Sequence, residues 1–212
     1  MKRLYPVLMR VYEDPVSYLG KISLDRLADF ISGYCTCVNE VTLPAIRTSG
    51  FSGYVIQQYG LDIRAQLDWH RVIRFFCNSE EQAFYRFYEL YRQYIEEREK
   101  TIQISVSQQV RPREKDGKAS LTDLLEQIRQ KPVLFFGRPS LAGAYAMLNG
   151  YCTRLAEEGI FVDTQGFQKY VEDTYNVHSG QCWEQILQLY YPDVMAFPCF
   201  LDLYDRFTAA EK

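Results

Sequence analysis

The stretch Pro15-Val16-Ser17-Tyr18-Leu19-Gly20-Lys21-Ile22-Ser23-Leu24, running on to Gly33-Tyr34-Cys35-Thr36, returns 117 residues later as Pro132-Val133-Leu134-Phe135-Phe136-Gly137-Arg138-Pro139-Ser140-Leu141, running on to Gly150-Tyr151-Cys152-Thr153. Nine of the 22 paired positions are identical. From Ser23 the apolar positions Leu24, Leu27, Ala28, Ile31, Tyr34, Cys35 and Val38 fall on one face at helical spacing, and Leu141, Ala144, Tyr145, Leu148, Tyr151, Cys152 and Leu155 keep the same register. A helical period preserved through divergence predicts a helix in each copy. Ser23 and Ser140 stand where an N-cap belongs, and Gly20 and Gly137 supply the turn before it.

Working outward, the match persists at slowly drifting offsets. Leu4, Val7, Leu8 and Val11 answer to Leu121, Leu124, Leu125 and Ile128, an opening helix that Pro15 and Pro132 end. Phe51, Tyr54, Val55 and Tyr59 answer to Phe167, Tyr170, Val171 and Tyr175. Trp69, Val72, Ile73 and Phe76 answer to Trp183, Ile186, Leu187 and Tyr190, a core stripe in each copy. Phe84, Phe87 and Tyr91 answer to Phe197, Phe200 and Tyr204, closing at an offset of 113. The expectation is an all-α chain of two tandem pseudo-repeats of about five helices each, residues 1–98 and 120–212, with helices near 51–59, 66–77 and 79–98 and near 165–175, 180–190 and 194–208. Residues 99–119 read as a linker. Its first part alternates Ile102, Ile104 and Val106 with polar neighbours, so a short strand within 101–107 stays open.

Composition narrows the function. With 47% hydrophobic residues and 15% aromatics the chain can bury two cores. The net charge of −3 is unevenly divided: residues 120–212 hold 12 acids and 7 bases, residues 1–119 hold 15 and 17. An acidic second half argues against nucleic acid and for a basic partner. The six cysteines lack zinc-ribbon spacing, and Cys35 and Cys152 lie on the apolar stripe as small hydrophobes. There is no signal peptide and no apolar run near 18 residues, so a cytoplasmic location with reduced thiols and no membrane partner is expected.

Catalytic signals are missing. His70 and His178 are not equivalent between the copies, and no dinucleotide, phosphate-loop or hydrolase-elbow motif occurs. The adjacent acids Glu13/Asp14, Glu80/Glu81, Glu96/Glu97, Glu157/Glu158 and Glu172/Asp173 point about 100° apart on a helix and read as solvated faces. No enzyme activity, metal or cofactor is expected. Lys21 and Arg138 beside the turns admit an anion at a helix N-terminus, against the simpler reading of a packed turn. The 17 tyrosines exceed what two small cores need, so some belong at an interface.

The segment Pro15 to Tyr34, with its Tyr18-Leu19-Gly20-Lys21 turn, the Phe51/Tyr54/Val55 and Trp69 patterns and the helix from Phe84 to Leu90, resembles small bacterial helical immunity proteins of polymorphic and contact-dependent toxin systems. The resemblance covers residues 15–95 and, more faintly, 132–207. The family's usual form has one unit; here it is doubled, and Tyr-Leu-Gly becomes Phe135-Phe136-Gly137. It implies a non-enzymatic cytosolic inhibitor that binds and neutralises a toxin domain, with a homo-oligomer compatible. Competing classes are a ligand-binding or enzymatic protein with an aromatic cleft between the repeats, and a structural or oligomerising module. Glu157, Glu158, Asp163, Glu172 and Asp173 are the candidate partner-binding residues, because a toxin acting on nucleic acid presents positive charge. Copy one lacks this cluster, having only Glu40 and Arg47 between Asn39 and Tyr59.

Overall fold

A computed structural model describes residues 4–36, 50–62, 67–102, 121–135 and 140–210. Every regular element among them is helical. In chain order these are α1 (Leu4–Glu13), α2 (Pro15–Leu19), α3 (Leu24–Thr36), α4 (Phe51–Gln58), α5 (Trp69–Phe75), α6 (Glu80–Ile102), α7 (Leu121–Gln130), α8 (Pro132–Phe135), α9 (Leu141–Glu157), α10 (Thr164–Tyr175), α11 (Trp183–Tyr190) and α12 (Asp193–Ala210).

Three boundaries depart from the sequence reading. Pro15 does more than end α1: it opens α2 at the first helical position, where a missing N–H costs nothing, and the Asp14 carboxylate caps it by accepting from Ser17 N at 3.2 Å. Gly20 then closes α2 in the left-handed conformation, φ 75°. Thr101 and Ile102 extend α6, so the linker begins later than residue 99; the remainder of the strand candidate, the Gly137 turn, Glu40 and Arg47 lie outside the described residues.

Two apolar clusters form, one from residues of α1–α6 together with Ala146 of α9, and one from α7–α12. The same aromatic triad sits in each. Trp69 packs against Phe51 and Phe87 with ring centroids 5.8 and 4.8 Å away, and Trp183 against their counterparts Phe167 and Phe200 at 5.5 and 4.7 Å. Such pairs add about 0.5–1.5 kcal/mol each beyond their area burial. The stripe residues Leu24, Leu27, Ile31 and Tyr34, and Leu141, Leu148 and Tyr151, are all buried. Cys35 and Cys152 pack half-buried at the edges of the two clusters.

The clusters meet along α3 and α9, whose backbones touch. A Cβ on Gly33 would lie 1.9 Å from the Met147 carbonyl oxygen, and one on Gly150 would lie 2.0 Å from the Phe30 carbonyl oxygen. Since Gly33 pairs with Gly150 and Phe30 with Met147 at the same offset, the contact is self-complementary. Flanking it, the buried Arg26 guanidinium donates from Nη1 and Nη2 to the Glu184 carboxylate at 2.9 and 2.7 Å and from Nη1 to the Leu19 carbonyl at 2.7 Å. Asn149 also crosses, donating to the Tyr18 carbonyl at 3.0 Å. At this crossing two glycines bring main chain onto main chain.

Candidate functional site

The five acidic candidates stand in three settings. Glu157, in the last turn of α9, is drawn into the seam between the two clusters: it accepts from Tyr34 Oη at 2.6 Å and from Arg10 Nη2 at 2.8 Å. Burial and this carboxylate push the Tyr34 phenol up to about 12, so it stays a donor at neutral pH. Glu158 accepts from Arg154, a buried cation that also lies over the Tyr34 ring, 5.5 Å from its centroid. Neither is a freely solvated acid.

Asp163 caps α10 by accepting from Gly166 N at 2.8 Å. Glu172 accepts from Gln168 Nε2 at 2.7 Å, and both Glu172 and Asp173 lie about 4 Å from His178. These last two occupy the final turn of α10, the turn that holds Tyr175. Among the other paired acids Asp14, the cap of α2, and Glu80 also leave the solvated-face reading. Glu80, at the start of α6, accepts from Ser23 Oγ and Leu24 N at 3.1 Å each and from Arg74 Nε. Glu80 takes the first amide of α3 and the Ser23 hydroxyl oxygen faces Arg26 N at 3.4 Å, so a carboxylate of the chain itself already stands where an anion would bind.

Beside Tyr175 the second cluster exposes apolar surface. The Tyr175 ring lies 4.7 Å from that of Tyr190, whose hydroxyl donates to the Tyr175 carbonyl at 3.3 Å. Leu189, Val194 and Met195 extend from there, all exposed, with Asp193 between them. Thus the Tyr190 end of the core stripe does not close into the core as the repeat register suggested. Its counterpart behaves alike: Phe76 stacks on Tyr59 at 4.4 Å, and exposures of 82% and 45% for Phe75 and Phe76 match 73% and 49% for Leu189 and Tyr190. Only the second patch grows, since Val194 and Met195 replace Glu81 and Gln82.

Compared with known protein families, curated proteins and solved structures, the chain matches none. The site therefore rests on its geometry. Among the described residues no group of three His, Cys, Asp or Glu could hold a metal ion, and no helix is long and apolar enough to cross a membrane.

The apolar half of this face was partly legible in advance. Leu189 falls off the Trp183/Ile186/Leu187 stripe, a signal of exposure. Val194 gave none, being in register with Phe197 and Leu201; it is exposed because α12 starts beyond the edge of the core. Exposed Leu189 and Tyr190 on one side of Asp193 in sequence, and Val194 and Met195 on the other, with Tyr190 packed on Tyr175 in the last turn of α10, supply what a protein-binding face requires: apolar surface to desolvate and charge near it.

Proposed function

We propose that the chain is a tandem duplication, residues 1–98 and 120–212, acting without enzymatic activity as a cytoplasmic immunity protein that binds and neutralises a bacterial toxin domain with a basic surface, as a nuclease has. The observation that supports this reading best is the exposure of Leu189, Tyr190, Val194 and Met195, with Tyr190 packed on Tyr175 in the turn of α10 that also carries Glu172 and Asp173. An apolar patch supplies affinity by burial, and rim carboxylates steer a cationic partner onto it.

Within the five acidic candidates the roles divide. Asp173 suits steering, joined by Asp193 from outside the five, and Glu172 does so while also accepting from Gln168; Glu157, Glu158 and Asp163 carry internal hydrogen bonds and hold the scaffold.

The test is to look for a toxin gene directly upstream of this one and to measure association with the toxin domain it codes. Reversing Glu172 and Asp173 to lysine is expected to slow association about tenfold at low salt and much less at moderate salt. Val194→Asp with Leu189→Asp is expected to speed dissociation. Unchanged kinetics in both folded variants would remove this face as the binding site; no association with the neighbouring toxin would remove the immunity reading.

A further inference from the structure

The first unit holds a groove between α1 and α6, about 390 Å³ in volume, walled by Tyr5, Tyr12, Tyr85, Tyr88 and Tyr91 with Arg92 at its side. Its rings are ordered by mutual contact: Tyr12 meets Tyr88 at 4.9 Å and Tyr85 at 5.8 Å, both edge-on, and Tyr5 stacks on Tyr91 at 6.4 Å. The hydroxyls of Tyr88 and Tyr91 are shielded from solvent and have no hydrogen-bond partner among the described residues. Tyr91 is 2% exposed. A buried phenol without a partner loses the hydrogen bond it made to water, a cost a scaffold avoids by using phenylalanine. Burial also raises both phenols far above the ordinary range, so they are fixed as donors.

The matching helices of the second cluster keep Tyr91 as Tyr204 but pack without the other groups. At the corresponding positions Tyr5, Tyr12, Tyr88 and Arg92 become Thr122, Arg129, Leu201 and Asp205. There Arg129 Nη2 and the Asp205 carboxylate close the groove with an ion pair at 2.6 Å. In the first unit Arg92 pairs with no carboxylate among the described residues, and the nearby Glu89 is taken by Arg86 at 2.8 Å. Tyr5, Tyr12 and Tyr88 are therefore not a requirement of the helix packing.

We propose that this groove is a binding site for a small aromatic carboxylate, separate from the face described above. Rings of one or two cycles stack between the tyrosine walls, and a carboxylate accepts from the phenols and pairs with Arg92. A volume near the low end of the ~300–1,000 Å³ typical of small-ligand sites suits such a molecule and excludes a dinucleotide.

Calorimetric titration of the full chain with benzoate, indole-3-acetate and neutral benzyl alcohol tests this. The carboxylates are expected to bind at least roughly tenfold more tightly than the alcohol, since a charge-assisted contact is lost in the latter. Transplanting the second unit's ion pair, Tyr12→Arg with Arg92→Asp, is expected to abolish binding while the protein still melts cooperatively. Tyr88→Phe separates ligand from scaffold: it removes one hydroxyl, so binding should fall about tenfold with no loss of thermal stability. Absence of carboxylate binding at millimolar concentration, or equal binding by wild type and Tyr88→Phe, overturns the proposal. So does a groove whose Tyr12→Arg/Arg92→Asp variant loses association with a protein partner but never bound a probe, which would make it a second protein contact.

Discussion

Gly33 stands directly against the carbonyl oxygen of Met147, too close for any side chain to intervene. With its counterpart contact, Gly150 on Phe30, it brings α3 and α9 to backbone distance and makes the two apolar clusters one body. A methyl group at Gly33 must push the helices apart, and interiors packed at crystal density yield little. Gly33→Ala and Gly150→Ala are each expected to lose about 1–3 kcal/mol or more by denaturant unfolding. The double variant should lose less than the sum, because one separation relieves both clashes. Losses under about 0.5 kcal/mol, the range of an ordinary surface change, would refute the close contact.

Arg26 and Glu184 lie on different clusters, and their ion pair is buried on both sides. Removing one partner strands a charge in the seam, so Glu184→Gln or Arg26→Met should cost about 3–5 kcal/mol, whereas Arg26→Met with Glu184→Leu should recover much of that. Equal losses in single and double variants would show that packing, not charge, dominates here.

Asp29 faces the first turn of α9 and has an ionisation pushed up to about 7, first by burial and then by the nearby Asp25 carboxylate, with Arg26 opposing. The helix N-terminus favours the anion by only about 0.3–1 kcal/mol, too little to offset that desolvation. The sign follows from proton binding: the folded chain holds a proton the unfolded chain has released, so this residue's contribution is full below pH ~4 and is lost as pH rises through about 7. Asp29→Asn should flatten that decline and be the more stable protein at pH 8. Parallel pH–stability curves for the two proteins would refute it.

Asp163 is a helix cap before it is a surface charge. Asp163→Ala should destabilise by about 1 kcal/mol, and Asp163→Asn by less, since an amide oxygen can also accept from Gly166 N. Asp173→Lys should leave the melting temperature nearly unchanged. A thermal shift after Asp173→Lys as large as after Asp163→Ala would mean that the end of α10 holds the scaffold as firmly as its start does.

The amino-acid sequence by itself determined the helical class, the register of both core stripes, the burial of Trp69 and Trp183 and the N-cap at Ser140, because these depend on periodicity and on local hydrogen bonding that neighbours in sequence supply. It also placed the net negative charge in residues 120–212. Only the tertiary structure decided what those acids do, since a carboxylate's role depends on partners distant along the chain: Arg10 and Tyr34 engage Glu157 across 147 and 123 residues. The same holds for Gly33 and Gly150, whose identity repeats in both copies but whose meaning appears only when one helix backbone lies on the other. Exposure of Val194 and the tyrosine groove of α1 and α6 follow from where helices end and which faces stay uncovered, properties that periodicity does not encode.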